Sequence, residues 1–156
     1  MNAQASRSRP LSHPPSADQI VQDAAALNAF LLRAFPGGEE ADRAQVTLVE
    51  PGRVRVLRPY DVRSLRPGGV ISGPTMMALA DMAVYALVLA HIGEVPMAVT
   101  TSLTMHFLRP AKPGDLIAEA SLLKLGRRIA TADVRLWTEG PDRLAAHATV
   151  AYAIPA

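Results

Sequence analysis

Apolar residues recur along this chain with three different spacings. From Asp18 to Phe35 they fall at Ile20, Ala24, Leu27, Leu31 and Ala34, the spacing of an amphipathic helix, and Pro36-Gly37-Gly38 stops it. Residues Ala44 to Glu50 and Arg53 to Arg58 alternate around Pro51-Gly52 and predict a hairpin. A loop from Arg58 to Gly69 then leads to a stretch with no polar face at all. Between Arg66 and His91 the one formally charged side chain is Asp81, in the run Met76-Met77-Ala78-Leu79-Ala80-Asp81-Met82-Ala83-Val84-Tyr85-Ala86-Leu87-Val88-Leu89-Ala90. Ser72-Gly73-Pro74 marks the start of this second helix, with Gly73 as cap and Pro74 at the first helical position, and His91-Ile92-Gly93 ends it.

Strict alternation takes over afterwards. Met97, Val99, Thr101, Leu103, Met105 and Phe107 share one strand face, and Ala98, Thr100, Ser102, Thr104, His106 and Leu108 the other. The pattern returns from Asp115 to Leu125, from Arg128 to Leu136 and from Leu144 to Ile154 (Leu144, Ala146, Ala148, Val150, Tyr152, Ile154), with turns at Arg109–Gly114, Gly126 and Glu139–Asp142. Four long strands make a curved antiparallel sheet whose apolar face needs cover, and a helix apolar all round needs enclosure. Wrapping the sheet around the helix satisfies both, which predicts an α+β hotdog fold with an extra N-terminal helix.

Composition narrows the class. A chain of 156 residues, 49% hydrophobic and 19% charged, fits one globular domain, here expected over 17–156 behind a Ser-, Pro- and Arg-rich flexible tail over 1–16. The tail has no apolar core of a signal peptide, although its acid-free, Arg-containing composition keeps a mitochondrial-type presequence open. With no cysteine, thiolate catalysis, disulfides and Cys-based zinc sites are excluded, and the cytoplasm is the simplest location. A formal charge of +2 with 4% aromatics is too thin for a nucleic-acid partner. The apolar helix, about 17 residues and roughly 25 Å long, is read as buried rather than as a membrane span. His106 and His147 are read as ordinary strand residues, since no metal-ligand spacing surrounds them and no metal site is expected.

Asp81 is the position that asks for a reason. Burying a carboxylate costs several kcal/mol unless it is paired or hydrogen-bonded, and acids held that way are suited to general-base or nucleophilic work. The plain alternative is a structural Asp bonded to a nearby backbone N–H.

Leu79-Ala80-Asp81 in the helix, Phe107-Leu108-Arg109-Pro110 followed by Gly114-Asp115, then Gly126-Arg127-Arg128 and the closing Ala146-His147-Ala148-Thr149 resemble the hotdog-fold acyl-CoA thioesterases of the phenylacetate-pathway, or PaaI-like, group. The similarity runs over residues 44 to 154. It implies an acyl-CoA substrate, with coenzyme A part of the substrate and no separate cofactor. It also implies a homodimer, paired again into a homotetramer, with the central helices at the dimer interface and sites between subunits. In that family the glycine eight residues before the acid donates its backbone N–H to the thioester carbonyl, which is Gly73 here. A helix start suits the task, because it offers unpaired N–H groups and partial positive charge to an oxyanion. Asp81 then either activates a water or attacks directly.

The chain departs from the family where His-Gly-Gly opens the helix. Ser72 either takes over the histidine's orienting role or simply caps the helix, and capping is the favoured reading. By the same resemblance, Thr100, Thr101 and Ser102 lie on the strand that passes the partner's helix, with Thr101 the candidate to orient the water or nucleophile. Tyr85, one turn after Asp81, and Met77, in a cluster with Met76 and Met82, are candidates for the substrate pocket. Lys124, Arg127, Arg128 and Arg109 are candidates for the nucleotide phosphates. Two other classes stand beside hydrolysis. A hotdog-fold acyl-CoA hydratase or dehydratase needs a histidine paired with the acid, and none lies between Val46 and Ala90. A non-catalytic acyl-CoA-binding module is the other.

Overall fold

The computed structural model describes residues 15–37 and 44–156; the tail expected over 1–16 lies, up to residue 14, outside the described residues. Helix α1 (Ala24–Ala34) precedes the hairpin β1 (Gln45–Glu50) and β2 (Arg53–Arg58). A 3-10 turn at Val62–Ser64 and a two-residue ladder, β3 (Leu65–Arg66) with β4 (Val70–Ile71), shape the approach to α2 (Gly73–Ile92). Strands β5 (Val99–Phe107), β6 (Leu116–Leu125), β7 (Ile129–Trp137) and β8 (Ala146–Ala153) follow. All six long strands form one antiparallel sheet in the order β1-β2-β6-β7-β8-β5, wrapped around α2. This is the hotdog fold expected from the pattern.

Small residues make the enclosure possible. On the inner face Ala118, Ala120, Ala130, Ala132, Ala146 and Ala148 are fully buried, which leaves room for the larger, equally buried Val84, Leu87, Val88 and Leu89 of α2. The helix has 20 residues, three more than expected, and by length and composition alone it reaches what a membrane span requires. Of its most apolar window, 72% is buried inside the fold.

Three local expectations are corrected. The first helix starts at Ala24 rather than Asp18: Asp23 accepts from the Ala26 N–H as cap, while the N–H groups of Val21 and Gln22 bond the Ala90 carbonyl at the far end of α2. The cap of α2 is Ser72, whose hydroxyl accepts from the Thr75 N–H, and Gly73 is already helical. The even alternation from Met97 to Phe107 is broken by a bulge. Thr100 pairs with Tyr152 and Ser102 with Ala151, which leaves Thr101 as the extra residue. Ala98 and Thr100 therefore face inward before the bulge, and Leu103 and Met105 after it.

The two sheet edges differ. Beside β1 lies α1, where Asn28 imitates a strand backbone: its Nδ2 donates to the Val46 carbonyl at 3.0 Å and its Oδ1 accepts the Val46 N–H at 2.8 Å. At the other edge β5 is exposed along most of its length, with Val99, Phe107 and the following Leu108 open to solvent.

Candidate active site

Asp81 is half-buried, on the face of α2 that meets β5 and β8. The Thr100 hydroxyl donates to its Oδ1 at 2.6 Å. The Tyr152 hydroxyl lies 2.7 Å from the same oxygen and 3.1 Å from the Asp81 carbonyl, so one phenolic proton is shared between two acceptors. Burial above all pushes the Tyr152 phenol well up, opposed by the Thr100 hydroxyl and reinforced by the Asp81 carboxylate, which keeps it a donor at neutral and mildly alkaline pH. Among the described residues the other oxygen, Oδ2, has no hydrogen-bond partner and no cation approaches the carboxylate within ion-pair distance. Short hydroxyl bonds to one oxygen hold the group in a single orientation and leave the lone pairs of the other oxygen open to the cleft.

Asp81 lies on the wall of a cleft of about 430 Å³ whose lining includes Phe35, Met82, Tyr85, Val99, Thr100 and Tyr152. Tyr85 stacks on Tyr152 with ring centroids 6.0 Å apart, and its hydroxyl donates to the Pro96 carbonyl at 3.2 Å rather than to Asp81. Burial raises its pKa also.

The sequence candidates divide. Thr100 and Tyr85 lie at the cleft with Asp81. Thr101 does not reach Asp81: as the bulged residue it donates to the Ala151 carbonyl at 3.2 Å, so within this chain the hydroxyl on the acid belongs to Thr100. Ser102 and Met77 are exposed and are not among the residues that line the cleft. Ser72 caps α2 and shares a 2.8 Å hydrogen bond with the Thr75 hydroxyl, while its own N–H is tied to the Ser64 carbonyl. The Gly73 N–H makes no hydrogen bond among the described residues, and a Cβ added there would come within 3.3 Å of the Phe107 ring. Lys124, Arg127 and Arg128 are exposed around the β6–β7 turn, at the sheet end that carries Val99. Arg109 is exposed at the opposite end, beyond Phe107, so the four cations do not form one cluster within the chain. His91 is far from this chemistry, with Nδ1 donating to the Leu87 carbonyl and Nε2 accepting the Gly52 N–H, which assigns it a neutral tautomer.

Tyr152 is the residue that sequence reasoning missed. A signal existed: on a strand face of Ala146, Ala148 and Val150, an inward phenol must find an acceptor.

A sheet wrapped on a central helix, with one carboxylate held by hydroxyls beside an apolar cleft, defines a hotdog-fold protein of the thioester-hydrolase class. The sequence profile of the thioesterase superfamily matches residues 68–145, and the chain belongs to that superfamily. A proposed thioesterase from Silicibacter sp. TM1040 is 40% identical, with 90% of this chain and 96% of that one covered and a TM-score of 0.78. A mutant of the phenylacetic acid degradation protein PaaI from Thermus thermophilus is 30% identical, covering 74% of this chain and 96% of its own, with a TM-score of 0.65. A proposed esterase of Thermoplasma acidophilum is 29% identical over 90 residues, 58% of this chain and 67% of the relative. The PaaI-like resemblance read from the motifs agrees with these relatives.

Proposed function

We propose that the protein hydrolyses acyl-CoA thioesters to a carboxylic acid and free coenzyme A, with Asp81 as the catalytic carboxylate. The observation that carries this is Asp81 itself, with Oδ1 fixed by Thr100 and Tyr152 and Oδ2 unengaged on the wall of an apolar cleft. In the general-base route Oδ2 takes a proton from water, the water oxygen attacks the carbonyl carbon, the C–S bond breaks and the thiolate receives the proton. In the nucleophilic route Oδ2 attacks first and water then cleaves the mixed anhydride. Single turnover in heavy-oxygen water identifies direct attack followed by water opening the anhydride at the Asp81 carboxyl carbon, because the product then carries an unlabelled Asp81 oxygen and the label enters Asp81, whereas the general-base route labels the product.

The oxyanion donor comes from a second subunit in this reading. Eight residues of helix put the Gly73 N–H about 12 Å from Asp81 along the axis, too far for one carbonyl to touch both. Two copies joined along the exposed β5 edge, with Val99, Phe107 and Leu108 covered, bring Gly73 of one beside Asp81 of the other. Cations at both ends of the sheet then converge toward each shared cleft, where coenzyme A phosphates need them. Hydration is disfavoured because no histidine meets Asp81 among the described residues.

Thiol release from an acyl-CoA panel tests the function, and mixed dimers test the shared site. Asp81→Asn and Gly73→Pro are each expected to be inactive, and co-refolding them at equal amounts to recover about a quarter of wild-type activity, since half the dimers regain one of two sites. Stoichiometric binding without turnover would favour the acyl-CoA-binding module instead.

A further inference from the structure

A second cavity, of about 470 Å³, adjoins the Asp81 cleft and shares Phe35, Ala78 and Met82 with it. It lies between α1, β1 and the first half of α2, and Leu31 and Leu79 are among its mostly apolar walls. Among the described residues one cation lines it. Arg58 follows Val54 and Val56 at a spacing of two on β2, and both valines are fully buried against α2, so the pleat turns Arg58 inward as well. Its Nε is shut off from solvent without a hydrogen-bond partner, and the guanidinium makes no ion pair among the described residues. Asp61 feels this charge but is engaged by Arg63 at 2.7 Å.

An unpaired guanidinium that lines an apolar cavity with its Nε sealed from solvent is costly in the free protein and rewards a ligand that brings an acceptor. Hydrocarbon filling the cavity would leave the donors unmet. A planar carboxylate matches the guanidinium fork, and this cavity continues from the cleft where the thioester carbonyl would lie beside Asp81. We propose that Arg58 is the specificity-determining residue of an acyl pocket built for acyl groups that end in a carboxylate, the substrates being CoA esters of dicarboxylic acids. This rests on the thioesterase reading of Asp81 and adds the substrate class. Phe35, Ala78 and Met82, shared by both cavities, form the passage from reacting carbon to anchor, and α1 acts as a wall, held to β1 through Asn28.

Thiol release from suberyl-CoA and octanoyl-CoA, equal in carbon number and different in their ends, tests the proposal. Wild-type kcat/KM is expected to favour suberyl-CoA by about 30-fold or more, by the logic that a site made to bond a polar group rejects the analogue lacking it. Arg58→Met should lose about 100-fold on suberyl-CoA and stay within about 3-fold on octanoyl-CoA, and Arg58→Lys should keep part of the preference. Melting temperatures at or above the wild-type value confirm that the variants fold. Equal rates on both esters, or a ranking unaltered in Arg58→Met, overturn the pocket and leave the thioesterase reading standing. If neither ester is cleaved, calorimetry with free suberate and octanoate decides. Suberate binding lost in Arg58→Met supports the pocket while the hydrolytic reading fails, and no suberate binding overturns the pocket.

Discussion

Glu119 and Asp81 are two carboxylates on opposite faces of one sheet, and their surroundings assign them different work. Glu119, on β6, points outward beside Ala118 and Ala120 and is nearly sealed, with 7% of its surface open. Arg55 across the ladder donates to its Oε2 at 2.6 and 3.0 Å and rests on the Trp137 ring. That acid is neutralised by a cation, so its charge is spent on structure. Asp81 is more exposed, has no cation beside it among the described residues, and is held at one oxygen by neutral hydroxyls. A carboxylate clamped by arginine has its lone pairs engaged, whereas one oriented through a single oxygen by hydroxyls keeps the lone pairs of the other available.

The sharpest way to break this contrast is to remove each acid's function separately. Asp81→Asn keeps size and the Thr100 contact, and thiol release is expected to fall by about 1,000-fold with little change in thermal midpoint. A mutant retaining a tenth of wild-type activity would return Asp81 to a structural role. The mirror experiment is Arg55→Met, which strands Glu119 with Arg53 4.0 Å away as its remaining cation. Calorimetry or urea titration should register about 3 kcal/mol of lost stability, roughly 6–12 °C in Tm, with kcat unaltered. Adding Glu119→Leu to Arg55→Met should restore most of that loss, since a buried pair replaced by hydrocarbon is close to neutral.

Smaller effects sharpen the role of the hydroxyls. Thr100→Val and Tyr152→Phe each delete one bond to a charged oxygen, worth about 1.5–3 kcal/mol, so kcat is expected to drop by roughly 10- to 100-fold with KM nearly constant. Thr101→Val, which alters the bulged neighbour bonded to Ala151, should change kcat by less than about 3-fold, given its modest neutral bond. The smallest effect concerns Asp61, at the approach to α2. Bonds from Arg63 hold its carboxyl down to about 2 from an ordinary 3.8. A group depressed in the folded state stabilises it above the unfolded value and loses that contribution as pH falls through the folded one. A carbon-detected NMR titration should therefore place the Asp61 midpoint near pH 2, and in Arg63→Ala it should move back toward 3.8.

Much of the fold was legible because its signals are local. The unbroken apolar run of α2 and the alternation of β6, β7 and β8 each demand burial on their own, and one sheet around one helix is the arrangement that serves both. Asp81 stood out for the same reason. Thr100 and Tyr152 were not legible as its partners, since they are 19 and 71 residues away in the chain and meet it through pairing register. The bulge at Thr101 carries no local mark, being one residue more on β5 than β8 can match, and it chose which of two adjacent threonines touches the acid.

The sequence by itself determined the elements, the enclosed helix, the lone acid in it and the family to which the motifs point, because periodicity and composition act through nearest neighbours along the chain. The tertiary structure decided which hydroxyls orient that acid, how Arg58 comes to face an apolar cavity, and which sheet edge is covered and which is bare. Those outcomes depend on strand register and on packing between residues far apart in the chain, where a shift of one position turns a side chain to the other face.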